Sequence, residues 1–130
     1  MQGSAKDHEY VKLLDRIIAA AEAGDPSDID NVYAPDAVIW HSHDGKESTV
    51  EQNKKLLVAI DRIIADRVYD DRRVWVWDGG VAQTHTLRGT RRSDGAPIEL
   101  HAIVVCQVSD GRITRLDEYI DPEESAQMRR

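Results

Sequence analysis

"VWVWDGGVAQTHTLRGT", residues 74–90, decides the fold. Val74 to Trp77 are β-branched and aromatic residues, which suit a pleated, half-buried surface. Asp78-Gly79-Gly80 is a turn signal, and Val81 to Thr90 follows as a second run with period two, so the stretch reads as a hairpin. The pattern then repeats. "RSDGAP" (92–97) turns the chain, Ile98 to Val108 returns, Ser109-Asp110-Gly111 turns it again, and Arg112 to Ile120 closes the series. With the first strand beginning near residue 67, four long strands joined by short turns form an antiparallel meander.

Upstream the period is helical. Val11, Leu14, Ile17, Ile18 and Ala21 recur at three- and four-residue spacing, which predicts a helix over 5–23, with Gly24 as its stop. "DPSDID" (25–30) predicts a short second helix with Asp25 as cap and Pro26 at its first position. "APDA" (34–37) leads into a strand, Ala37 to Ser42. Ser48-Thr49-Val50-Glu51 reads as a capping box, opening a helix to about Ala65 whose buried face is Val50, Leu57, Ile60 and Ile64. Helices followed by a long meander give an α+β class: a curved antiparallel β-sheet wrapped around N-terminal helices, cone-shaped, with an apolar pocket at its mouth. The 130 residues suit one domain, with a core of about 5–122 and a short tail, 123–130.

Composition narrows the function. The net charge of −7 disfavours a nucleic-acid or anionic-membrane partner, because either would need a basic face. The pairs Arg72-Arg73 and Arg91-Arg92 read as solvated or ion-paired surface. Cys106 is the only cysteine, which excludes an intrachain disulfide; inside "HAIVVCQV" it reads as a small packed hydrophobe. There is no signal-like N-terminus, and a cytoplasmic setting is expected. Nucleotide-binding glycine motifs, phosphate loops and nucleophile elbows are missing from the sequence, so chemistry without a cofactor is expected.

"YAPDAVIWH" (33–41) and "DGRITRLDEYID" (110–121), set in this layout, resemble the nuclear transport factor 2-like superfamily, and within it the SnoaL-like or ketosteroid isomerase-like branch. The resemblance runs from about Tyr10 to Pro122 and implies the cone fold. The branch includes isomerases, cyclases, dehydratases and epoxide hydrolases, so it implies no single reaction. On that alignment His41 takes the place of the isomerases' general-base aspartate, while their second acid falls at Ala102 or Ile103. Glu118 matches an acid of the limonene epoxide hydrolase-like members, whose arginine-x-aspartate pair falls on His85 and Leu87. What remains is a histidine–glutamate set without either full signature.

Strand alternation groups Gln83, His85 and Leu87 on one face and His101, Ile103, Val105 and Gln107 on another. The resemblance implies that both sets line the concave face, bringing His85 and His101 together with Glu118. His41, His85, His101 and Glu118 are therefore the candidate catalytic residues. Tyr33, Trp40, Gln83, Leu87, Ile103 and Val105 are the candidate substrate-binding wall. His41-x-His43 with Asp44 nearby has the residue types of a metal site, but the turn signals in "HDGKE" place His43 and Asp44 in a loop, and no metal is expected. The favoured function is an isomerase, cyclase or lyase acting on a small apolar carbonyl-bearing molecule: His41 or His85 removes a proton alpha to the carbonyl, and a second histidine or protonated Glu118 supports the enolate. The alternatives are a non-catalytic binder of small hydrophobic ligands and a dimeric protein-interaction module. The strand Ile98–Val108 is apolar on both faces, so a homodimer through the sheet is the expected cover for its convex side.

Overall fold

In the computed structural model, which describes residues 8–129, one six-stranded sheet carries the whole architecture. The elements are helix α1 (Glu9–Ala23), helix α2 (Ile29–Val32), strand β1 (Tyr33–His41), strand β2 (Lys46–Ser48), helix α3 (Val50–Ile63), strands β3 (Ile64–Trp77), β4 (Gly80–Arg91), β5 (Pro97–Ser109) and β6 (Arg112–Ile120), and helix α4 (Pro122–Ser125) with a 3-10 turn, Ala126–Arg129. The spatial order is β2-β1-β6-β5-β4-β3. The meander β3 to β6 is antiparallel throughout, whereas β1 runs parallel to β6. The sheet is curved and unclosed, and the helices pack inside its curve.

The helix limits follow local chemistry. Residues 5–7 of the predicted first helix lie outside the described residues; from Glu9 it runs to Ala23, where Gly24 adopts a left-handed φ of 66° and closes it. A side chain at Gly24 would also collide with Asp61. The second helix starts later than predicted: Asp28, not Asp25, stands at its N-cap, because Asp25 accepts from Ser27 N in a turn around Pro26. The capping box is likewise one residue further on. Thr49 Oγ1 accepts from Gln52 N and Gln52 Oε1 accepts from Thr49 N, while Ser48 donates its hydroxyl to Ile39 O.

Two bulges bend β3. The register with β4 slips between Ala65 and Val68 and again between Asp70 and Arg73. At each slip an aspartate takes a left-handed φ, 55° at Asp66 and 54° at Asp71, and is followed by an arginine. A bulge sets two residues against one, kinks the strand and re-aims a side chain. Here each turns its arginine inward. Arg67 is buried and donates to the carbonyls of Ala21, Glu22 and Ile64, tying β3 to the end of α1. Arg72 reaches Asp15 on α1 and Gln83 on β4.

The core lies between the helices and the concave face. Val11, Leu14, Ile17 and Ala21 of α1 meet Ile39, Val81, Cys106, Val108, Ile113 and Leu116 of the sheet. Each such buried aliphatic side chain contributes about 1.5–3 kcal/mol. Cys106 is fully buried, and burial pushes its thiol up to about 12, so it packs rather than reacts. A second cluster, Ile64, Leu87, Ile98 and Leu100, sits at the open end.

The residues after 120 are more than a tail. Asp121 caps α4 with Pro122 in its first turn, Arg91 donates to Gln127 O, and Gln127 exchanges hydrogen bonds with the Glu99 backbone. Ser125 is buried, and Met128 packs against the second cluster. Among the described residues no helix is long and apolar enough to cross a membrane.

Candidate functional site

Register assigns each strand residue to a face. Across β4 and β5, His85 lies opposite Ala102, Gln83 opposite Val104 and Leu87 opposite Leu100; Thr84 lies opposite Ile103 and Thr86 opposite His101. Directly opposed residues share a face. The inward row of β5 is therefore Ile98, Leu100, Ala102, Val104, Cys106 and Val108, buried apart from half-buried Ala102. The expectation that His101, Ile103 and Val105 line the concave face is corrected: they stand on the outer face. A strand apolar on both faces carries no alternation to choose between them, and only the register with β4 sets which side turns inward.

His101 is 59% exposed at its side chain, and Glu124 Oε2 lies 2.9 Å from its Nδ1. Glu124 holds the imidazolium form and raises the pKa of His101. Trp40 is corrected in the same way. It pairs with outward Asp117 and meets the Tyr119 ring at a tilt, centroids 5.1 Å apart, so it is outer surface rather than pocket wall.

On the inside is a cavity of about 330 Å³, roofed by Leu14, Ile17, Leu57 and Ile60 of the helices and floored by Val104 and Leu116 of the sheet. Its volume is at the small end of the range for ligand pockets. Tyr33, His41, His85 and Glu118 all line it. Gln83 and Leu87 point inward but lie beneath its wall: Gln83 is fully buried under His85, and Leu87 belongs to the second cluster. Sequence reasoning missed Asn53, Tyr69 and Met128, which also line the cavity. Asn53 carried a signal, a polar residue between Val50 and Leu57 on the buried face of α3.

His41 and Glu118 are direct neighbours across the β1–β6 pair, with Nε2 3.7 Å from Oε1. That is just outside hydrogen-bond length. Burial pushes the Glu118 carboxyl up to about 7 and, helped by the nearby His43, lowers His41. Both shifts disfavour charge, so near neutral pH the pair is an imidazole beside a carboxyl that gains or loses a proton readily. Burial, with Arg72 nearby, lowers His85 to about 4 and keeps it neutral. Burial also raises the phenols of Tyr33 and Tyr69, which therefore remain donors.

No buried polar side-chain atom lacks a partner among the described residues. Asn53 and the hydroxyls of Tyr33 and Tyr69 have no protein hydrogen bond there, so they open onto the cavity. The result is an enclosed, mostly aliphatic chamber with several donors and one titrating pair.

His43 and Asp44 lie in the turn after β1, 3.6 Å apart at their charged atoms, and the His41 and His43 rings stand 5.6 Å apart. Among the described residues no group of three or more His, Cys, Asp or Glu side chains converges as a metal site. A larger, open depression of about 810 Å³ is lined by outer-face groups such as Arg73, Thr84, Thr86 and His101, and it also reaches His85 and Ala102 of the inward rows. It lacks the enclosure of the inner chamber.

Comparison with known proteins agrees with this fold. The family model described as SnoaL-like domain matches residues 14–116. Among solved structures, IdmH, a candidate polyketide cyclase from Streptomyces antibioticus, superposes with a TM-score of 0.80 at 21% identity, over 95% of this chain and all of that one (100%). A candidate polyketide cyclase from Xanthomonas campestris pv. campestris gives 0.80 at 19% identity, covering 92% and 96% of the two chains. A hypothetical protein from Catenulispora acidiphila with a ketosteroid isomerase-like fold, in complex with trimethylamine, gives 0.74 at 16% identity over 83% and 84%. At these identities the likeness is one of fold. No protein of curated function matches the sequence.

Proposed function

The chain belongs to the SnoaL-like domain family, and from that premise we propose that its inner cavity is the active site of a cofactor-independent isomerase or cyclase acting on a small, apolar, carbonyl-bearing molecule. The observation that carries this reading is the His41–Glu118 pair, 3.7 Å apart in an aliphatic chamber, with the carboxyl moved to about 7. A general base is most effective when its pKa lies near the working pH. In the proposed step the Glu118 carboxylate takes a proton from the carbon alpha to the carbonyl. The C–H electron pair becomes the carbon–carbon double bond of the enolate, the carbonyl π pair moves onto the oxygen, and a donor elsewhere in the cavity holds that oxygen. The Glu118 carboxyl then returns the proton at a different carbon, or the enolate carbon attacks a second carbonyl of the same molecule to close a ring and Glu118 gives its proton to the alkoxide that forms. His41 steadies the carboxyl in both protonation states. Neither route needs an outside oxidant or reductant.

The same enclosure supports a second reading, a binding protein that holds such a molecule without turning it over. We further propose that a second copy of the chain covers the outer face, where Trp75 and Tyr119 are about half exposed (51% and 50%) and Ile103 and Val105 lie between them. Sedimentation of the wild type against Ile103→Glu tests that dimer, and a monomeric wild type refutes it.

Binding to the cavity is tested by NMR titration with cyclic ketones, 1-indanone among them. Shifts at His41, His85 and Leu57 support the reading. Shifts confined to His101 and the tryptophans would move the site to the outer face.

A further inference from the structure

The second bulge of β3 falls directly opposite His85. Asp70 pairs with Thr86 and Arg73 with Thr84, which leaves Asp71 and Arg72 facing the single residue between them. Asp71 absorbs the extra length in its left-handed conformation, and Arg72 turns inward. There Arg72 Nη2 donates to Asp15 Oδ1 at 2.6 Å and Arg72 Nε donates to Gln83 Oε1 at 2.8 Å; Gln83 Nε2 lies 3.0 Å from His85 Nδ1.

These contacts fix protons as well as positions. A guanidinium has donors only, so the oxygen of the Gln83 amide must face Arg72, and its NH2 must face His85. The amide NH2 cannot accept, so Nδ1 of His85 must be the acceptor and carry no proton. The ring is then neutral with its proton on Nε2. His85 has no other hydrogen bond among the described residues, yet no buried polar side-chain atom there is left unpartnered. Nε2–H therefore opens onto accessible space, and His85 borders both the inner cavity and the open depression beside it.

We propose that Asp15, Arg72 and Gln83 form a positioning relay that fixes His85 as a neutral donor through Nε2, so that this wall selects ligands presenting a carbonyl-type acceptor. The inference rests on the reading of the cavity as a carbonyl site and deepens it. It sets aside His85 as the base and makes it the group that receives the carbonyl oxygen, with the proton traffic left to His41 and Glu118. A neutral imidazole donor does not surrender its proton to an enolate as readily as an imidazolium, and it holds the oxygen without introducing a full charge.

The test is nitrogen-15 NMR of the histidine rings at neutral pH, on the full chain, alone and with 1-indanone (acceptor only) or indole (donor only). In the wild type His85 should show a pyridine-type Nδ1 and a pyrrole-type Nε2, and 1-indanone should perturb Nε2. Gln83→Glu replaces the amide donor with an acceptor and should invert the ring to Nδ1–H. Indanone binding should then weaken about tenfold, the effect of losing one hydrogen bond in an enclosed site, and indole should gain. Should Gln83→Glu not fold, Arg72→Met frees the amide to rotate and should give both tautomers, with Arg72→Lys restoring the first.

A wild-type His85 protonated on Nδ1 overturns the relay. So does a ring that stays purely Nε2–H in Arg72→Met, or a tautomer unchanged in a folded Gln83→Glu. The outcome is separable from the proposed chemistry: if Glu118→Gln leaves proton transfer intact, the active-site reading fails while the His85 tautomer still stands or falls alone.

Discussion

Replacing Glu118 by glutamine keeps the shape of the side chain and removes its ionisation, so it isolates the cost of charging the cavity. Burial raises this carboxyl from its ordinary 4.5 to about 7. Below about 4.5 the acid is protonated both folded and unfolded, and the folded state carries no penalty. Between the two values the unfolded chain ionises while the folded one keeps its proton, so stability falls as pH rises; once pH has passed through about 7 the loss is complete. At about 1.4 kcal/mol per pH unit the displacement corresponds to ~3 kcal/mol. The side chain is 27% accessible, toward the cavity, and water there reduces the figure to about 2 kcal/mol. His41 and His85 act in the opposite sense, because burial lowers them and stability rises with pH up to their ordinary 6.5. Their contribution is common to both proteins and cancels in the comparison. The assay is urea unfolding of wild type and Glu118→Gln at about pH 5 and about pH 8, taken as a double difference. The glutamine variant should be about 2 kcal/mol less sensitive to the change, and more stable than wild type at the higher pH. Identical pH dependence in the two proteins refutes the claim that Glu118 is held protonated by the cavity.

Three further outcomes follow from the same geometry. At Gly89 a Cβ would overlap Ile64 Cγ2 and come within 2.9 Å of Ala65 O at the first bulge, so Gly89→Ala should lower stability by about 1–3 kcal/mol in denaturant unfolding; a neutral substitution would mean the bulge has room. Thr49→Ala removes the hydroxyl of the capping box and should cost about 1 kcal/mol in the same assay, whereas Ser48→Ala should leave the helix cap intact. His101 is raised by its bond to Glu124, so the latch on α4 is intact below the ordinary histidine value of 6.5 and is lost as pH rises through the higher folded value. After correction for intrinsic exchange, hydrogen exchange of amides 123–128 should quicken across that range in wild type and show no such step in His101→Gln.

The meander was legible because its turns are chemically loud. Asp78-Gly79-Gly80 and Ser109-Asp110-Gly111 fix hairpins whatever the sheet does elsewhere. The first helix was equally plain, since Val11, Leu14 and Ile18 leave one face to bury. Placing residues on β5 was harder: five consecutive apolar or small residues, Ala102 to Cys106, offer no contrast between faces, and only the register with β4 separates Val104 from Ile103 and Val105. The bulges were hidden for a related reason. Asp66-Arg67 and Asp71-Arg72 look like surface charge in a linear reading, yet each left-handed aspartate sends its arginine inward. That is why Arg72, which reads as ion-paired surface, is both ion-paired to Asp15 and joined to Gln83. Within the candidate site, His41 and Glu118 could be named from sequence, but their adjacency depends on the parallel β1–β6 pairing, a long-range choice that no local pattern encodes.

The central claim is that the His41–Glu118 pair moves a proton at the carbon next to a carbonyl. Deuterium exchange into the alpha position of 1-indanone, followed by proton NMR in heavy water, measures that step without requiring the natural substrate. Wild-type protein should speed the exchange, Glu118→Gln should abolish the effect, and His41→Gln should reduce it. Exchange no faster with wild type than with Glu118→Gln, from protein shown by NMR to bind the ketone in the cavity, would contradict it and leave a binding protein.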